Sequence, residues 1–201
     1  MKTICAALCP LIVATLCGGC ASYKAVSLPP LQPEFAPYVE ENDGVIVACK
    51  AFSKADCKRY LDRDVISKGY QPVQVTVKNE TKKYVVFSEQ GVSLPCVPAE
   101  EVAQKVHTNT AGRATVYGVG ALFLWPLAVP AIVDGVGSSK ANQQLNSDFA
   151  AKSADQTVIQ PYSTLNGLIF IPSQDYQERF TITLFDRENR QKMMFRLSAQ
   201  R

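Results

Sequence analysis

Histidine is almost missing from this chain: His107 is the only one. Thr108, Asn109 and Thr110 follow it, with no carboxylate or thiol at useful spacing, so it reads as an ordinary polar side chain. A histidine-based acid–base set, or a metal site built on histidine, has nothing to assemble from. Glycine-rich phosphate loops are absent too. Gly118-Val119-Gly120 lacks the strand-then-helix setting of a nucleotide site, and no Gly-x-Ser-x-Gly elbow occurs. Asp62/Asp64 and Glu100/Glu101 are spaced as surface pairs, not as carboxylates facing each other across a bond. An excess of one charge is also lacking, with 21 Lys and Arg against 18 Asp and Glu. That balance argues against nucleic acid as a partner. No catalytic residue, metal or cofactor is therefore expected, and the chain is not read as an enzyme.

What is present begins at the N-terminus. Lys2 is followed by an apolar run, Leu11-Ile12-Val13-Ala14-Thr15-Leu16-Cys17, and then by Gly18, Gly19 and Cys20. A positive start, an apolar stretch and small residues form an export signal, not a folded segment. Pro10, Gly18, Gly19 and the cysteines make the same stretch a poor spanning helix. With Cys20 at the cleavage point, the segment resembles the lipobox of bacterial lipoproteins. The resemblance covers about the first 22 residues. It implies cleavage after residue 19, a lipid on the Cys20 thiol and attachment to the cell envelope. The absence of Asp after Cys20, where Ala21 stands, implies sorting to the outer membrane. Removing residues 1–19 takes away only Lys2 among the charges. The remaining length suits one domain with a real core.

Cys49, Cys57 and Cys96 are the cysteines left over. Export favours oxidation, so they are candidates for a disulfide. Spacing does not decide between Cys49–Cys57 and Cys57–Cys96, nor between either and three buried free thiols. Residues 20–44 contain Pro29, Pro30, Pro33 and Pro37, which favour extended backbone and suit a tether. Leu28, Leu31, Phe35 and Tyr38 equally suit a segment lying against the domain.

Residues 45–201 read as mainly β with helical insertions, an α+β domain. Strands are expected at 45–51, 72–78, 83–88, 92–94, 158–160, 168–171, 179–185 and 192–198. Val73, Val75 and Val77 alternate with polar residues, the mark of a half-buried strand. A helix is expected over 53–68, capped by Ser53 and Asp56 and stopped by Gly69. Another starts at Pro98 with Glu100 and Glu101 in its first turn.

Residues 114–133 then carry no charge, between Arg113 and Asp134. Pro126 and Pro130 interrupt the run. The next stretch, 139–151, is too polar to return through lipid, although Ala141, Leu145 and Phe149 form an apolar stripe. The strands on either side are too few to close separate cores, so both halves should join in one sandwich. The insertion at about 99–155 is expected to form a helical hairpin turning at Gly135 and Gly137. Leu122, Phe123, Leu124, Trp125 and Leu127 are its candidate membrane or partner contacts.

The Val73–Val77 strand, the Asn79-Glu80-Thr81 turn, the strand opened by Asn166-Gly167 and the final hairpin together resemble immunoglobulin-like domains of bacterial envelope proteins. The resemblance covers residues 45–98 and 157–199. It implies an antiparallel β-sandwich interrupted by the helical hairpin, and it carries no functional residue with it. The function expected is that of a lipid-anchored envelope protein with a structural or interaction role. Its partners would be the membrane, through lipid, and an envelope protein or a second copy. The alternative is a membrane-active lipoprotein whose segment 114–133 inserts into a bilayer.

Overall fold

A computed structural model describes residues 22–33, 36, 38–107 and 128–200, with backbone alone for 128–138. The chain forms two compact units, residues 1–23 with 108–144 and residues 24–107 with 145–201. The described part of the first unit is Ser22, Tyr23 and helical backbone from Ala128 to Gln144. The second unit holds all the described strands.

These strands are β1 (Tyr38–Asn42), β2 (Val45–Ala51), β3 (Tyr70–Asn79), β4 (Val85–Phe87), β5 (Thr157–Ile159), β6 (Thr164–Pro172), β7 (Arg179–Asp186) and β8 (Lys192–Ser198). They make two four-stranded sheets in the orders β1-β2-β3-β6 and β5-β4-β7-β8. Every strand pair is antiparallel. Each sheet takes strands from both sides of the insertion, so one sandwich forms, as the shortage of strands on each side requires.

Period-two alternation points one face of every strand inward. Val73, Val75 and Val77 of β3 thus meet Phe180, Ile182 and Leu184 of β7 and Met193, Phe195 and Leu197 of β8 in a shared core. Asp43 and Gly44, with φ of 51° and 77°, join β1 to β2 by a two-residue turn. Asp-Gly suits that turn because both positions need positive φ.

Helix α1 spans Lys54–Leu61. The Ser53 hydroxyl accepts from the Asp56 N–H at 3.1 Å, and the Asp56 carboxylate accepts from the Ser53 N–H at 2.9 Å. The expected capping box is therefore formed. The helix is shorter than 53–68. It stops at Asp62, in the left-handed region at φ 49°, where Asp is among the few residues that fit. Gly69 instead caps a short 3₁₀ turn, Ile66–Lys68. Of the strand expected at 92–94 only a single bridge forms, from Val92 to Ile182, just after a 3₁₀ turn at Glu89–Gly91.

Helix α2, Ala99–Lys105, begins just after Pro98 as expected. Helix α3, Ala128–Lys152, runs straight through Gly135 and Gly137, so the hairpin turn expected there does not occur. Glycine in a helix costs only about 1 kcal/mol relative to alanine, too little to end a helix of this length. Pro130 falls in the first turn of α3, where a missing N–H is harmless.

The outer face of the first sheet is a second core. Phe149 of α3 stacks on Phe170 of β6, with ring centroids 5.7 Å apart and planes 5° from parallel. Cys57, Leu61, Val65, Val102, Leu145 and Leu168 are all fully buried without belonging to the core between the sheets. Helices thus cover this sheet, and β3 is buried along both faces rather than half-buried.

Candidate functional site

Cys20 and the apolar contacts Leu122, Phe123, Leu124, Trp125 and Leu127 lie outside the described residues. Among the described residues no helix is long and apolar enough to cross a membrane. Cys49, Cys57 and Cys96 are free thiols. Cys49 faces the core between the sheets and Cys57 is buried under α1. Burial pushes each of the three up to about 12, so all stay protonated at neutral pH and are poor nucleophiles. His107 pairs with the Asn146 side chain at 2.6 Å and ties the end of α2 to α3.

Residues 24–31 lie against the domain, the second of the two readings open to the proline-rich segment. The Lys24 N–H donates to Asp62 Oδ2 at 3.1 Å, and the Val26 N–H to the Arg59 carbonyl at 3.0 Å. Lys152 Nζ, 8 % exposed, donates to the carbonyls of Val26 at 2.8 Å and Tyr60 at 2.6 Å and to Asp148 at 2.6 Å.

Further along, Gln74 Nε2 donates to the Pro29 carbonyl at 2.7 Å and to Asn166 Oδ1 at 2.8 Å. Asn166 Nδ2 donates to the Leu28 carbonyl at 3.1 Å, and Thr76 accepts from the Leu31 N–H at 3.1 Å while donating to Asn166 at 2.9 Å. Gln74 and Thr76, polar residues that alternation turns away from the core, are buried beneath this strap. Their hydrogen bonds make that burial tolerable.

The second sheet is different. Its outward positions on β7 and β8 include Arg179, Thr181 and Thr183, then Lys192, Met194 and Arg196. No carboxylate occupies an outward strand position on this face. No described helix covers it, and Met194 and Val158 are 53 % and 42 % exposed.

One groove on this face, of about 550 Å³, is lined by Arg179, Arg196, Thr181, Ser93, Tyr38 and their neighbours. Arg196 stands opposite Thr181, and Arg179 opposite Ser198, so the arginines are diagonal neighbours on adjacent strands. Among the described residues neither guanidinium has an ion-pair or hydrogen-bond partner. At the rim, the Arg196 backbone N–H donates to Glu40 of β1. That contact occupies a donor on the free edge of β8, where another strand would otherwise pair. A second groove, of about 490 Å³, includes Arg187, Arg190, Phe185 and Val158. Planar donors beside hydroxyls and exposed apolar area suit a carboxylate-bearing partner.

Sequence reading missed these arginines. The signal available was the outward register of β7 and β8, which carries Arg179, Lys192 and Arg196 and no acid.

One more perturbed group stands apart. Glu89, in the turn after β4, is raised by burial and by the nearby charges of Asp155 and Glu100, and its Oε1 is buried without a hydrogen-bond partner. Among the described residues no three metal-ligating side chains come together.

No family model matches this chain, and neither a curated protein nor a solved structure matches it significantly.

Proposed function

We propose that this protein is a lipid-anchored component of the bacterial cell envelope, held by lipid on Cys20, that acts by binding a partner and not by catalysis. One observation carries the binding reading: among the described residues nothing covers the outer face of the second sheet, where Arg179 and Arg196 stand without side-chain partners beside exposed apolar side chains. A bare face of that composition is what an interaction surface requires. The excess of cations on it favours an acidic partner surface. The lipobox-like run ending at Cys20, with Ala21 next, supports the anchor and an outer-membrane destination. The likeness to immunoglobulin-like envelope domains is proposed for the two-sheet plan alone. The order β1-β2-β3-β6 sets three consecutive strands side by side, a departure from the immunoglobulin arrangement.

The test has two parts in the intact, processed protein. Metabolic fatty-acid labelling should disappear in Cys20→Ser; persistent labelling would place the lipid elsewhere. Crosslinked envelope partners recovered with the native protein should be lost from the double variant Arg179→Glu, Arg196→Glu. Unchanged recovery would remove the open face from the proposal.

A second reading rests on the uncharged run 114–133. In it the protein is membrane-active and this segment inserts into a bilayer. Blue-shifted Trp125 emission on adding vesicles to protein lacking its lipid supports insertion, and an unchanged spectrum overturns it.

A further inference from the structure

The strap that ties residues 24–31 to the domain removes the slack a tethered lipoprotein would have. Its first fixed point is the Lys24 N–H on Asp62, followed by Val26, held both by Arg59 and by Lys152. Cys20 is four residues before Lys24. An extended chain advances at most about 3.6 Å per residue, so a lipid on Cys20 lies within roughly 14 Å of that point. That distance is smaller than the domain itself, whose two sheets alone stack about 10 Å apart beneath a further layer of helices about 10 Å thick.

The surroundings of the fixed point suit phospholipid headgroups. Lys24, Lys54, Lys58 and Arg59 are exposed there. Of the nearby acids, Asp56 pairs with Lys50 at 2.8 Å, and Asp62 pairs with Lys58 at 2.5 Å and Arg63 at 3.2 Å. That leaves Lys24, Lys54 and Arg59 without an acidic partner among the described residues, against Asp64, whose carboxylate accepts from the neutral Ser67 N–H at 3.0 Å. The bare face of the second sheet is on the opposite side of the sandwich, because the strap crosses the outer face of the first sheet through Gln74, Thr76 and Asn166.

We infer that the anchor seats this domain directly on the bilayer surface, strap and α1 toward the headgroups, and turns the open face of the second sheet away from the membrane. This orientation rests on the proposed lipid at Cys20 and adds to it a direction for the partner-binding face. A short leash limits the poses available, and exposed cations near the surface add attraction to anionic lipid.

The experiment uses the full lipidated protein in vesicles of phosphatidylethanolamine and phosphatidylglycerol with headgroup-bound nitroxide quenchers. Lys58→Cys and Met194→Cys each receive one fluorophore in a Cys96→Ser background, because Cys49 and Cys57 are buried whereas Cys96 is only partly so. Mass spectrometry of the mature N-terminus first checks the lipid, and its absence would overturn the anchor and the orientation together. With lipid present, the Lys58 probe should be quenched several-fold more than the Met194 probe. Equal quenching, or the reverse order, would overturn the orientation and leave the anchor standing. Inserting a flexible linker of about 20 residues between Tyr23 and Lys24 should abolish the difference. A difference that survives the linker would show that strap length does not set the pose.

Discussion

The two sheets have the same number of strands and the same alternating pattern, yet their outer faces have opposite fates. Outside the first sheet lie α1, α2, the end of α3 and the strap, and even Gln74 and Thr76 are buried there. Outside the second sheet Met194, Val158, Arg179 and Arg196 meet solvent. The difference comes from side-chain character at outward positions. β6 presents Leu168 and Phe170 outward, which demand cover, and Phe149 and Leu145 supply it. β7 and β8 present Arg, Thr, Lys and Ser with only scattered apolar residues, which demand none. Among the described residues, one outer face is covered and the other is not.

The strongest way to break this contrast is to truncate one apolar side chain on each side. Phe149→Ala removes a fully buried ring stacked on Phe170. It should cost about 3–5 kcal/mol, as large core truncations do. Met194→Ala, at a residue 53 % exposed, should stay within about 0.5 kcal/mol of the native protein. Denaturant melts of the two variants decide it. A similar cost for both would mean that the second face is covered in solution.

The strap gives the next largest effect. Asn166→Ala would leave Gln74 Nε2, Thr76 and the Leu28 carbonyl each short of a partner. A cost of about 1–3 kcal/mol follows from stranding buried polar groups. Hydrogen exchange at Leu31, whose N–H is held by Thr76, should speed up more than exchange in β8. Uniform acceleration across both sheets would show that the strap is no separate element.

These two sites show how far the sequence is legible. Strands β2 and β8 were readable to their end residues because Val45–Ala51 and Lys192–Ser198 are bounded by clear breaks. The capping box at Ser53 and Asp56 was readable because it is a local hydrogen-bond device. β1 was not, although Asp43-Gly44 is a strong hairpin signal; four prolines upstream drew residues 38–42 into the tether. The burial of Gln74 was not readable either. A polar residue in an alternating strand points to water unless something covers it, and the cover comes from Leu28 to Leu31, more than forty residues away. Which arginines stand unpaired among the described residues depends on which sheet the described helices leave uncovered, a property of topology and not of any local run.

Carboxylates on the two sides give the smallest and most selective comparison. Burial alone would raise Asp56, but Lys50 at 2.8 Å and the bonds from Ser53 outweigh it and hold the carboxyl below its usual range. A lowered carboxyl stabilises the fold above its unfolded value, near pH 4, and loses that contribution as pH falls through the folded value. Asp56→Asn should therefore cost about 1 kcal/mol at pH 7, the worth of a capping interaction, and nothing in strong acid. Glu89, beside the second sheet, has the opposite sign. Burial raises it first, then Asp155 and Glu100 add to the effect. Its fold prefers the protonated form, so the penalty grows as pH rises from the unfolded value toward the folded one and is complete above it. Glu89→Gln should thus stabilise the protein at pH 7, by about 0.5 kcal/mol, with the gain vanishing below about pH 4. Thermal melts across that pH range separate the two signs. A Glu89→Gln variant that loses stability at pH 7 would mean that this carboxylate has a cationic partner in solution, and with it the contrast between the two sides would fail at its most local point.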